Sequence, residues 1–93
     1  MRYGTKSSFD RAYKKLSSDE QDAVENAVMK LCDLSEGHIS APPKGLGLKP
    51  MGRGYFEIRV GIQVRVIFRR ENGVMLYFVG DHNAVARFVA DAN

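Results

Sequence analysis

The sequence predicts an α+β fold: an N-terminal helix hairpin packed on a small antiparallel sheet, with a short C-terminal helix. The sheet is a three-stranded meander, with Tyr3–Lys6 as a short fourth, N-terminal strand. Three observations predict it. Apolar residues recur with helical spacing through the first third of the chain and with a spacing of two from Tyr55 onward; these are the periods of a helix face and of a half-buried strand. A Gly- and Pro-rich stretch from Ser35 to Gly54 separates the two regimes, and such residues punctuate regular structure. With 93 residues, 44% of them hydrophobic, the chain has the size and composition of one globular domain, residues 1–93, with a core of its own.

After the first strand, Phe9, Ala12, Tyr13 and Leu16 mark one face of a helix over about residues 8–16, with Ser7 and Asp10 spaced as a capping box. Ser17-Ser18 interrupt, with Glu20 and Gln21 three residues on. A second stripe, Ala23, Val24, Ala27, Val28, Leu31 and Leu34, then runs to Gly37, a residue type suited to ending helices. Residues 35–54 are expected as a loop closed over the core by Leu46, Leu48 and Met51. Phe56, Ile58 and Val60 alternate with Tyr55, Glu57 and Arg59, and Val64, Val66 and Phe68 alternate with Arg65, Ile67 and Arg69. Gly61 and Asn72-Gly73 mark the reversals, where a turn or its bulge needs φ > 0. A third strand spans Val74–Gly80, and Asn83 is the expected N-cap of a last helix carrying Val85, Phe88 and Val89.

Keeping the apolar sets on one face fixes the register, because a one-residue slip turns every side chain over. Val60 pairs with Val64, Ile58 with Val66 and Phe56 with Phe68, so Arg59 faces Arg65; at the second hairpin Phe68 pairs with Leu76 and Val66 with Phe78, and Arg65 neighbours Val79. The other face then carries Glu57, Arg59, Arg65 and Arg69, with His82 at the end of the third strand. Charge follows this division. The net charge is only +3, yet Lys44, Lys49, Arg53, Arg59, Arg65, Arg69 and Arg70 stand against Glu57 alone in residues 44–70. A local field of that sign concentrates a polyanion. Two arginines directly opposite repel each other; a bound anion relieves this, and so does neutralisation by Glu57 or Asp81.

Other classes are excluded or left without support. One cysteine, Cys32, and two histidines, His38 and His82, do not make a zinc site of ordinary ligand spacing. The longest apolar run, Val74–Val79, is far shorter than a bilayer span. Met1–Lys6 lacks the apolar core of a secretory signal, and the expected location is the cytoplasm. Tyr55 and Tyr77 are read either as packing residues or as platforms for bases.

The order of elements, with the run Gly54-Tyr55-Phe56-Glu57-Ile58-Arg59-Val60-Gly61 followed by Val64-Arg65-Val66-Ile67-Phe68, resembles the RelE/ParE toxin superfamily of bacterial type II toxin–antitoxin modules. The resemblance covers nearly the whole chain and is strongest from Leu48 to Phe88, including Leu48-Lys49-Pro50-Met51 and Val79-Gly80-Asp81-His82. It implies a cognate antitoxin protein as partner. RelE-like members cleave messenger RNA on the ribosome, whereas ParE-like members poison DNA gyrase, and a fold does not choose between such activities. A ribosome-dependent messenger RNA endonuclease is the expectation here; a gyrase inhibitor and a catalytically silent binding module are the alternatives.

RelE-like chemistry is attack of a ribose 2′-OH on the adjacent phosphate with departure of the 5′-oxygen, and it implies neither metal nor cofactor. Carried over by position, Arg65 falls at the family's phosphate-binding arginine and Arg59 at a basic residue that eases deprotonation of the 2′-OH. Glu57 stands where RelE has lysine, as a base or as an ion-pair partner for Arg59. His82 matches the histidine of YoeB-like members, in the role of general acid. Lys49, Arg53 and Arg69 are expected to contact RNA. Phe88 replaces the C-terminal tyrosine of RelE, and Gly45-Leu46-Gly47 has no carboxylate where YoeB-like members place a catalytic glutamate.

Overall fold

The computed structural model describes residues 2–92. Its elements are β1 (Tyr3–Thr5), α1 (Ser7–Tyr13), α2 (Ser18–Ser35), β2 (Lys49–Gly52), β3 (Tyr55–Val60), β4 (Val64–Arg70), β5 (Val74–Gly80) and α3 (His82–Asp91). The strands form one five-stranded sheet in the order β1-β5-β4-β3-β2, antiparallel except for β1 against β5. The α+β class, the helix hairpin, the meander and the C-terminal helix are as the sequence predicts.

Helix ends follow local chemistry. Ser17 and Glu20 form a capping box at α2, each side chain accepting from the other's backbone N–H at 3.2 and 2.9 Å, so two orphan donors are satisfied reciprocally. The box expected at Ser7 is absent: Lys6 is the N-cap of α1 and makes no side-chain cap. Ser8 lies inside the helix and its hydroxyl instead donates to the Tyr77 carbonyl at 2.5 Å, tying α1 to β5. At α3 the cap is Asp81, which accepts from the Ala84 N–H at 2.8 Å, and the expected cap Asn83 lies in the first turn. A carboxylate there also faces the positive end of the helix dipole.

The β3–β4 register is as expected, with Phe56 opposite Phe68, Ile58 opposite Val66, Val60 opposite Val64 and Arg59 opposite Arg65. The second hairpin departs from expectation. Phe68 pairs with Leu76, but an irregularity between Ile67 and Phe68 shifts the ladder, so Val66 pairs with Val79 rather than Phe78, and Arg65 with Gly80 rather than Val79. The extra residue lets β5 turn Val79 into one core and Phe78 into another. The stretch expected as loop also contains β2, an edge strand. Pro50, which has no N–H to give a ladder, is tolerated at an edge.

Two cores result. On one face α1 and α2 bury Phe9, Val24, Val28 and Leu31 against Ile58, Val66, Phe68 and Leu76, with Leu46 buried among them and Leu48 packed alongside. On the other, α3 lays Val85 and Val89 on Tyr55 and Ile67, with Met51, Tyr77, Phe78 and Phe88 around them. The second face is therefore not an open charged surface: its upper half is a small aromatic core that Arg69 overlies, and Glu57, Arg59 and Arg65 lie toward the β3–β4 turn.

Candidate functional site

The register places Glu57 at the centre of the charged end. Lys49 on β2 is its cross-strand partner, and Arg65 on β4 lies diagonally from it. Glu57 Oε1 is 3.7 Å from both Lys49 Nζ and Arg65 Nε, near enough to pair electrostatically and too long for hydrogen bonds. Glu57 is 1% exposed, contrary to the open position the alternation gives it, because Lys49 and Arg65 fold over it from either side. Its ion-pair partners are those two residues rather than Arg59. The second oxygen, Oε2, is buried without a hydrogen-bond partner.

Arg65 is held twice, since its guanidinium also donates to the Ile62 carbonyl at 3.2 Å in the β3–β4 turn. Arg59, directly opposite, is exposed and enters no ion pair among the described residues. His82 sits at the start of α3 rather than at the end of a strand. It is exposed and borders a shallow cleft with Ile62, Gln63, Asp81 and Asn83. The turn that fixes Arg65 thus also flanks His82. Glu57, Arg59, Arg65 and Lys49 are brought together, with His82 at the rim.

Two expected RNA contacts are otherwise engaged. Arg53 has left-handed φ of 59°; its guanidinium donates to the carbonyls of Val89 at 3.3 Å and Ala90 at 3.2 Å, and to that of Ala92, and so closes the carboxyl end of α3. Arg69 donates to the Arg53 carbonyl at 2.5 Å and lies over the rings of Tyr55 and Tyr77, 4.7 and 5.8 Å from their centroids. Gly54, with φ of 82°, admits this approach, for a Cβ there would stand 2.9 Å from Arg69 Nη2. Tyr55 and Tyr77 meet edge to face at 5.2 Å, and Tyr77 donates to Glu71 at 2.6 Å. They pack. Phe88 stacks on Phe78 at 4.8 Å.

One cluster of cations escapes sequence reasoning. Lys30 of α2 and Lys44 of the following loop converge on Arg59 across a cleft beside Asn26. Lys30 is a solitary base on an otherwise acidic helix, and no period in the sequence links it to Lys44. Among the described residues no group of three His, Cys, Asp or Glu is placed to hold a metal ion, and no helix is long and apolar enough to cross a membrane.

No family model and no curated protein matches the sequence. Solved structures do match. YafQ from Escherichia coli BL21(DE3) superposes with a TM-score of 0.67 at 16% identity, over 89% of this chain and 94% of that one. The chain has the RelE/YafQ toxin fold. The RelB–RelE antitoxin–toxin complex of Methanococcus jannaschii gives 0.67 at 11% identity over 91% and 96% of the two chains. A metal-bound toxin from Helicobacter pylori gives 0.68 at 18% over 89% and 96%. At such identities the RelE/YafQ likeness is one of backbone course, and chemistry is argued from the site itself.

Proposed function

We propose that this chain is the toxin of a type II toxin–antitoxin pair and acts as an endoribonuclease on ribosome-bound messenger RNA. The observation that carries the reading is the buried Glu57 carboxylate, which fixes Arg65 beside an unpaired Arg59. Fixed cations aimed at a phosphate stabilise the charge that grows on it in the transition state. In the proposed reaction the 2′-oxygen attacks phosphorus and the bond to the 5′-oxygen breaks, leaving a 2′,3′-cyclic phosphate. Arg59 lowers the cost of ionising the 2′-hydroxyl, whose proton passes to solvent water, Arg65 neutralises the non-bridging oxygens, and protonated His82 delivers a proton to the departing 5′-oxygen. Glu57 is a positioning residue, since its carboxylate lies beneath its cationic partners. The one carboxylate of the set, Glu57, is buried and leaves no exposed carboxylate to act as base, so orientation by the ribosome supplies much of the rate.

The partner side rests on relatives: YafQ of E. coli crystallises with DinJ, and RelE of M. jannaschii with RelB. An antitoxin is proposed to mask the basic end of the sheet. Expression of the chain, followed by primer extension on cellular messenger RNA with plasmid supercoiling read in parallel, tests the function. Discrete cuts that vanish in His82→Gln are expected, with single-turnover cleavage slowed about 10²–10⁴-fold. Relaxed or linearised DNA with intact RNA would establish gyrase as the target instead.

A further inference from the structure

Lys30, Lys44 and Arg59 line a cleft of about 280 Å³ between α2 and the loop before β2, together with Asn26, Pro43, Gly45 and Leu46. Among the described residues no carboxylate lines it. Of the acids on and just after α2, Glu20 accepts from the Ser17 N–H, Glu25 from Tyr13, and Asp33 and Glu36 pair with Arg2, while Asp19 and Asp22 do not line the cleft. None of the three cations enters an ion pair among the described residues. Three unneutralised cations around one concavity repel one another, and an anion seated between them reverses that sign.

The loop is built to hold this shape. Leu46 is buried in the main core and its carbonyl accepts from the Arg59 N–H at 2.7 Å, which pins the loop to the edge of β3 beyond β2. Gly47, with φ of 63°, lies under the Arg59 stem, where a Cβ would stand 3.0 Å from that of Arg59. Lys44 is thereby carried to the cleft mouth on an anchored segment. The volume is at the small end of ligand sites, roughly 300–1,000 Å³, which suits a phosphate and part of its sugar better than a whole nucleotide.

We propose that this cleft is a second phosphate subsite, in which Lys30, Lys44 and Arg59 hold an RNA backbone phosphate adjoining the one at Arg65. The assignment to RNA rests on the function proposed above and on continuity. Arg59 belongs both to the cleft and to the cross-strand pair with Arg65, so one strand of nucleic acid passes from the first cation to the second without leaving the surface. Asn26 offers an amide donor to the same anion. The contact is to backbone and carries no base preference.

The test is equilibrium binding of a short single-stranded RNA, 2′-O-methylated so that it is not cut, across a salt series. Lys30→Ala/Lys44→Ala is compared with Lys14→Ala/Lys15→Ala, which removes the same charge from the turn that closes α1. The cleft variant is expected to lose about 0.7 from the slope of log K against log salt, the value of one phosphate contact on single strands, and on the order of fivefold in affinity at 0.1 M salt. The α1 variant keeps the parent slope, and both keep the parent's circular dichroism. Equal slopes for the cleft variant and parent overturn the subsite, as does absence of RNA binding by the parent. Tighter binding of polyglutamate than of RNA by the parent, lost in the cleft variant, also overturns it in favour of an acidic protein partner. Cleavage by the parent on ribosomes, scored separately, distinguishes failure of this subsite from failure of the nuclease reading.

Discussion

Arg65 has two obligations: with a side chain only 15% exposed it neutralises a buried carboxylate, and in the proposed reaction it meets a phosphate. Arg65→Ala leaves Glu57 with Lys49 alone, and breaking a buried pair from one side leaves charge poorly compensated. The expected result is a fall of about 1–3 kcal/mol in urea-measured stability and a cleavage rate lower by two to three orders of magnitude. Arg65→Lys separates the two effects. It retains the positive charge near Glu57 and loses the planar fork, so it should melt within a few degrees of the parent while cleaving at least tenfold more slowly; parental cleavage by the lysine variant would remove Arg65 from the chemistry. Tyr13 offers a residue-scale test in pH. Burial, then its hydrogen bond to Glu25, pushes its phenol up to about 12. The folded state therefore holds this proton more tightly than the unfolded chain, and the associated stability is present below about pH 10 and is lost between there and about pH 12. Tyr77 is shifted the same way, by Glu71 first and by burial second. Urea midpoints between pH 9 and 11 should decline less steeply in Tyr13→Phe than in the parent.

At the scale of elements, the capping box makes α2 the most locally determined piece of the fold. Ser17→Ala should cost about 1 kcal/mol, read as a shift in urea midpoint with unchanged slope. α3 depends on a distant residue, because its last carbonyls are closed by Arg53 from the β2–β3 turn. Arg53→Ala should speed amide exchange in the last turn of α3 about two- to fivefold, as loss of a cation worth about 0.5–1 kcal/mol at a helix end implies, with little change at α2. These elements also show what could be read in advance. The β3–β4 register was legible because Phe56, Ile58 and Val60 alternate strictly with polar partners across a short turn. The β5 register was legible only as far as Phe68, because Val66-Ile67-Phe68 is uniformly apolar and hides the irregularity that sends Phe78 to α3. β2 was hidden by Pro50 and Gly52, residues that speak against a strand everywhere but an edge. The pairing of Arg59 with Arg65 was legible from the register alone. Burial of Glu57 and the capping role of Arg53 depend on neighbours that no local spacing encodes.

For the molecule as a whole, the sheet is the partition between two cores of unequal size. The larger fixes the meander; the smaller, under α3, keeps aromatic residues away from the charged end. The first strand is joined to the opposite end of the hairpin by charge, Arg2 pairing with Asp33 at 2.5 Å and Glu36 at 2.9 Å. The hydrogen bond from Arg2 is the largest cause holding the Glu36 carboxyl below its ordinary range. A lowered carboxylate contributes stability above its unfolded value that is lost as pH falls through the folded one. Arg2→Ala should accordingly lower the neutral plateau slightly and leave stability at pH 3 nearly unchanged, so that the acid side of the profile below about pH 4.5 is flatter, measured by urea midpoints from pH 3 to 7.

Cys32, the only cysteine in the chain, is 0% exposed, and its Sγ lies 3.6 Å from the Arg2 carbonyl at the seam between β1 and α2. Burial, the largest cause, pushes the thiol up, so it is protonated as well as covered. A thiol in that state reacts with an aromatic disulfide reagent only during openings that bare it. In the fast-reclosing limit its modification rate is the free-thiol rate multiplied by the fraction of time the seam is parted. The unaltered chain thus carries a chemical stopwatch at the junction of its first strand and longest helix, and any ligand that clamps this junction will slow the yellow colour of released thiolate in proportion.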